Sequence, residues 1–219
     1  MKFIQGYPRE EGATDMMDSA RLAGLVAMCE SWIAVDLGPY VQGYEAVRCP
    51  IGAPANNPKN FTRDQLICLA AGLSVQGNFK ALAKLEEAAM VRGWRAQNTE
   101  YDVPGSKKPW YNGADLLLPQ DRYFLRMCQG FKGSWFGKLM LKAEIVFNGW
   151  FTPLREPNQL IAKCLICEEL EFYKKTNKRW AEALHAYWGG WRNEPYLYVL
   201  LEQRVSSGGK ANQSYGPVS

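Results

Sequence analysis

Apolar residues at Leu22, Leu25, Val26, Cys29, Trp32 and Ile33 recur at steps of three and four, the spacing of one helical face, and predict an amphipathic helix from about Asp15 to Ile33. A second helix is predicted from Thr62 to about Val75. Its centre, Leu66-Ile67-Cys68-Leu69-Ala70-Ala71-Gly72-Leu73, is apolar on nearly every side, so it belongs inside the fold with neighbours all round. Thr62 is a good N-cap for it: its oxygen can take the Gln65 amide, Gln65 can reach back to the Thr62 amide, and Phe61 can staple onto Leu66. Asn78 caps a third helix ending at Gly93, and Pro119 opens a fourth through Tyr123, Phe124, Leu125 and Met127. A fifth runs from about Phe136 to Phe147. Pro157 starts the longest, to about Lys175, and Asn177 and Asn193 can cap two more around Trp180 to Trp188 and Tyr196 to Gln203.

No stretch alternates with a two-residue period, so no sheet is expected beyond short hairpins in the long loops. The pattern predicts an all-α fold. Seven or eight helices would pack as antiparallel hairpins or a partial α/α toroid, forming one domain over 1–205 with a Ser-, Gly-, Asn- and Gln-rich tail over 206–219 that is expected to lack order alone. Two connections, from about Val35 to Asn60 and from about Trp94 to Leu118, exceed ordinary length, and loops that long more often bind something than merely connect.

Composition narrows the classes. In 219 residues, 26 basic against 22 acidic side chains give a net charge of +4, scattered in ones and twos. A nucleic-acid binder would gather a basic stripe; the densest stretch, Lys174-Lys175-Thr176-Asn177-Lys178-Arg179, falls where one helix ends and another begins, and cations there complement the helix dipole. The first residues hold no apolar run of signal-peptide length, and no window reaches the roughly 20 apolar residues of a membrane span. Neither a secretion signal nor a membrane partner is expected. Five of the six cysteines fall inside apolar helical patterns, where free thiols act as small hydrophobes, which suits a reduced compartment.

Few residues offer chemistry. At about 100° per residue, Asp18 lies in line with Leu22, Leu25 and Cys29, which sets a carboxylate on the core stripe of the first helix. Arg21 flanks the same face, and Arg63 falls on the Leu66/Ala70/Leu73 side of the second helix while Asp64 points away. If these groups line a cleft, Asp18 can serve as a general acid or base with an arginine holding an anionic group; if not, Asp18 is a first-turn acid paired with an arginine. Glycosidic chemistry would need a second carboxylate, for which Asp64, Asp102, Asp115 and Asp121 are the candidates. Trp94, Tyr101, Trp110 and Tyr111, set among Arg95, Gln97, Asn98, Glu100 and Asp102, suit a sugar or another flat amphipathic ligand, or else anchor their loop to the core. The first long loop adds Arg48. Cys164 and Cys167 have redox spacing, but they sit among Leu160, Ile161, Leu165 and Ile166 with no second pair, which reads as core. His185 is the single histidine, no G-x-S-x-G accompanies it, and no phosphate- or dinucleotide-binding glycine pattern occurs. No metal or cofactor is expected.

The runs Asp18-Ser19-Ala20-Arg21-Leu22-Ala23-Gly24-Leu25, Arg48-x-Pro50 and Phe61-Thr62-Arg63-Asp64-Gln65, with Gly105 and Gly113-Ala114-Asp115, resemble a set of uncharacterised helical proteins encoded by tailed bacteriophages. The resemblance covers about the first half of the chain. It implies a viral origin, with synthesis in the host cytoplasm and a possible place in the virion, and it implies that Asp18, Arg21, Arg48, Arg63 and Asp64 are grouped. Two functions follow as expectations. One is a carbohydrate-handling cleft, binding or hydrolytic, near the first two helix starts. The other is a non-catalytic virion or assembly component that meets virion proteins through its C-terminal tail.

Overall fold

The computed structural model describes residues 2–9, 16, 18–29, 35–43, 45–51, 61–96, 116–150 and 157–176. Seven α-helices account for most of these residues: α1 (Ser19–Cys29), α2 (Arg63–Val75), α3 (Phe79–Val91), α4 (Pro119–Cys128), α5 (Trp135–Trp150), α6 (Pro157–Ile166) and α7 (Leu170–Thr176). The fold is mainly helical. Two antiparallel hairpins join it, β1 (Lys2–Ile4) with β2 (Tyr7–Arg9), and β3 (Val41–Gln42) with β4 (Glu45–Ala46). The first of these lies outside the long loops. Its strands are only three residues long, too short to show alternation, and it turns through Gln5 and Gly6, both at positive φ, as the tight turns of hairpins demand.

The core is built around α2, which touches α1, α3, α4 and α6 and is buried without interruption from Gln65 to Leu73. The start of α2 uses the expected residues in a modified way. Gln65 Oε1 accepts the Thr62 amide at 3.3 Å, while the Thr62 hydroxyl donates to the Asp64 carboxylate. Asn78 Oδ1 accepts the Ala81 amide at 3.2 Å and so caps α3. Between α1 and α2 the backbones nearly touch: a Cβ on Gly24 would lie 2.0 Å from the Cys68 carbonyl oxygen, and one on Gly72 would lie 2.8 Å from the Gly24 Cα. Only glycine allows that crossing. α4 and α5 approach through Tyr123, whose ring fills the space a Cβ at Gly133 would need and whose own Cβ fills that at Gly137.

Two helix boundaries differ from the sequence pattern. α1 starts at Ser19, not near Asp15, because the Ala20 amide donates to the Arg48 carbonyl at 2.9 Å and so is not bonded one turn back. The single helix expected from Pro157 to Lys175 is two. Its first half closes with the Glu169 amide on the Cys164 carbonyl at 2.9 Å and Glu168 at φ 57°, a left-handed helix stop normally filled by glycine. The break lets Lys163 enter the centre of the fold while Glu169 reaches Lys138 and Lys142 of α5 at 3.1 and 3.6 Å. The helices expected around Trp180 to Trp188 and Tyr196 to Gln203, and the tail over 206–219, lie outside the described residues.

Candidate functional site

Four charged side chains from four helices meet beside the start of α2. Lys163 of α6 is fully buried, and its Nζ lies 2.6 Å from Asp121 Oδ1 and 2.9 and 2.7 Å from the two oxygens of Glu144 on α5. Arg63, the first residue of α2, places Nε 2.8 Å from Asp121 Oδ2 and Nη2 3.1 Å from Glu144. Asp121 also accepts the Leu118 amide at 2.9 Å, so one carboxylate caps α4 and bridges two cations. Burial pushes the Asp121 carboxyl up, and the charges of Lys163 and Arg63 more than reverse this, leaving it below its ordinary value. Among the described residues, two cations balance two anions. The chemistry of such a group is that of a clamp: each charge is held by partners already in place.

At the start of α1 a second polar group gathers. Asp18 and Arg21 pair at 2.7 Å, the Asp18 side chain one quarter exposed and Arg21 nearly buried. One residue on from Asp18, the Ser19 hydroxyl meets the Tyr40 hydroxyl at 2.7 Å in a buried contact, and the Tyr7 ring stands edge-on to Tyr40 at 5.7 Å. Burial drives the Tyr40 hydroxyl far above its usual pKa and raises the Cys49 thiol, so both stay neutral at physiological pH. Arg48 is buried here too, with its carbonyl on the first turn of α1.

The structure thus sorts the candidate residues. Asp18 and Arg21 are together, with Arg48 joined to the same helix start through its backbone. Arg63 turns to Asp121 and Glu144, and Asp64 to the Thr62 hydroxyl. Trp94, at φ 62°, lies under the Arg122 guanidinium, 4.7 Å from its ring centroid. Its carbonyl takes the Leu117 amide at 2.8 Å and Arg95 bridges to Leu116, so the long aromatic loop leaves and returns at one point. Tyr101, Trp110 and Tyr111, like Asp102, Asp115 and His185, lie outside the described residues. Cys164 and Cys167 are buried free thiols, with burial pushing Cys167 up to about 12 and Cys164 well above its ordinary value.

Sequence reasoning missed Glu144 and Lys163. Each had a signal: a lone charge on the core side of an otherwise apolar helix, beside Leu141 and Ile145 in one case and Leu160 and Cys164 in the other. Also unforeseen was the outer side of α5. Trp135, Phe136, Leu139, Val146 and Phe147 are 78%, 47%, 52%, 39% and 55% exposed, although Leu141 and Ile145 of the same helix are fully buried. Among the described residues, no helix is long and apolar enough to cross a membrane. No protein-family model, no curated protein and no solved structure matches the chain.

Proposed function

We propose that the protein is a non-catalytic assembly component that docks onto protein partners through the outer face of α5. The observation that carries this reading is the apolar arc itself. At about 100° per residue, the five exposed large side chains and Ala143 cover roughly 120° of the helix surface, the width of a stripe that ordinarily faces a core. Water-facing apolar residues in that number and order mark interaction sites in soluble proteins. The charge clamp supports the same reading, since Arg63, Asp121, Glu144 and Lys163 tie four helices together. The resemblance to helical phage proteins makes the virion, or its assembly in the host cytoplasm, the setting for such a role. We further infer that the described helices pack as antiparallel hairpins, or as part of an α/α toroid, around α2. The test is the amount of the chain in purified particles: a fixed stoichiometry supports the assembly role, and absence from particles and from their assembly intermediates ends it.

A second reading, glycan handling at the start of α1, keeps one observation in its favour, the partly exposed Asp18 carboxylate held by Arg21. It requires turnover or binding of cell-wall or capsular glycan by the purified protein that is lost in Asp18→Asn. With neither, this reading falls.

A further inference from the structure

Two helices end in the same way, and each delivers an aromatic ring to an arginine of α4. α3 stops at Gly93, at φ 67°, with the Trp94 amide on the Ala89 carbonyl at 2.6 Å. α4 stops at Gly130, at φ 76°, with the Phe131 amide on the Arg126 carbonyl at 3.1 Å. Such a stop folds the residue after the glycine back against its helix. Trp94 thereby lies under Arg122, and Phe131, 53% exposed, lies under Arg126, whose guanidinium carbon stands 5.4 Å from the ring centroid.

The fold accounts for one arginine better than for the other. Arg126 is in the last turn of α4, where a cation suits the helix dipole, and it reaches Glu86 at 3.6 Å. Arg122 is one turn earlier, close to the positive start of the helix and four residues from a like charge, and both placements oppose the helix. Its Nε donates to the Leu117 carbonyl at 3.1 Å, which fixes the guanidinium over Trp94. Among the described residues, the Nη groups of Arg122 and Arg126 have no hydrogen-bond partner. Arg92 and Arg95 flank Trp94 in the chain, and Lys132 follows Phe131. Of the acids on α3 and α4, Glu86 and Asp121 are buried beside arginines and only Glu87 is exposed. Packing thus assembles a basic stripe that the order of residues along the chain does not contain.

Arginines held in this way select their partner. A guanidinium set flat on a ring presents its edge as a fork that matches two phosphate oxygens, with little freedom left to lose on binding. Two forks on one helix face, their Cβ atoms about 5–6 Å apart, suit an anion that repeats along a chain better than a single one. The exposed Phe131 ring and the outer faces of the guanidiniums offer flat surfaces to bases. We propose that this edge of α4 binds the phosphate backbone of a nucleic acid through Arg122 and Arg126. The site is separate from the docking face on α5 and does not depend on it.

The test is fluorescence anisotropy of labelled oligonucleotides of about 20 residues, single-stranded and duplex, titrated with the full chain between about 50 and 200 mM salt. The expected result is micromolar binding at the lower salt that weakens as salt rises. Arg122→Gln/Arg126→Gln should weaken it at least about 10-fold and make log K against log salt shallower by about 1.5, the share of two phosphate contacts. Lys2→Gln, which removes a cation from β1, should change neither. Should the double variant fail to fold, Arg126→Gln alone, at a side chain 55% exposed, should give about half the change in slope. Tighter binding of the single strand assigns bases to the flat faces, and equal affinity assigns the backbone alone; both support the site. It is overturned by no binding at about 100 µM protein, or by a double variant with wild-type affinity and slope. Equal binding to polyglutamate that the same variant abolishes also overturns it, since the edge would then take any polyanion, an acidic protein included.

Discussion

Replacing Lys163 by Met removes one cation from a buried group while keeping the length of the side chain. In the native protein its Nζ makes three contacts of 2.6 to 2.9 Å with Asp121 and Glu144, and no part of it reaches solvent. Among the four charges of the clamp, the variant leaves two carboxylates against one cation, Arg63. At an effective dielectric of about 20, two unit charges about 4 Å apart interact by about 4 kcal/mol, so losing the ammonium forfeits attraction of that order to each anion, offset by its own lost desolvation cost. Breaking a buried pair from one side costs about 3–5 kcal/mol in practice, and we expect Lys163→Met to fall in that range at pH 7. Urea unfolding followed by far-ultraviolet circular dichroism measures it, with an unchanged slope showing that stability and not compactness has moved. The sign of the pH dependence is a second check. In the wild type the folded pKa of Asp121 is depressed, so its contribution is present above the unfolded value near 4 and is lost as pH falls through the folded value. In Lys163→Met that depression shrinks, so the gap between the two proteins should hold from pH 7 to about pH 4 and close as pH falls further, through the two folded values. Adding Glu144→Gln restores the charge balance and should recover about 1–2 kcal/mol. A loss under about 1 kcal/mol for Lys163→Met, with no pH dependence of the gap, would refute the clamp.

Three further predictions follow from the fold. Gly24→Ala would gain about 1 kcal/mol of helix propensity at an exposed site, but here its Cβ meets the Cys68 carbonyl at 2.0 Å where ordinary contact starts at 3.4 Å, so a net loss of about 2 kcal/mol is expected in urea unfolding. Glu168→Gly relieves a left-handed residue at φ 57° and should raise stability by about 0.5–1 kcal/mol; a loss would mean that the Glu168 side chain itself holds the break between α6 and α7. The thiols of Cys49, Cys68, Cys128, Cys164 and Cys167 are buried, so native protein at pH 8 should leave all five unmodified by an aromatic disulfide reagent until it unfolds.

What the sequence made legible was local. Thr62, Asn78 and Pro119 mark the starts of α2, α3 and α4 because capping is decided within four residues, and the uninterrupted apolar run after Gln65 marks α2 as the inner helix. The break after Ile166 was not legible, since apolar residues continue through it at helical spacing and Glu168 is no usual helix stop. Arg63 illustrates the same limit for the site. Its place on the core side of α2 could be read from spacing, yet its partners stand 58 and 81 residues further along, and only the packing of α4 and α5 brings them in. The arc on α5 was hidden differently: Leu141 and Ile145 account for the core stripe, and periodicity does not say whether the remaining apolar positions face a neighbour or water.

The central claim is that the protein acts through the outer face of α5 and not through the charges at the start of α1. The most direct measurement is incorporation of Leu139→Glu and Asp18→Asn chains into assembled particles, each scored against the wild type after its folding has been checked by thermal melting. Leu139→Glu is expected to be folded but excluded, and Asp18→Asn to be incorporated and functional. A folded Leu139→Glu that assembles normally, beside an Asp18→Asn that assembles but has lost function, would contradict it.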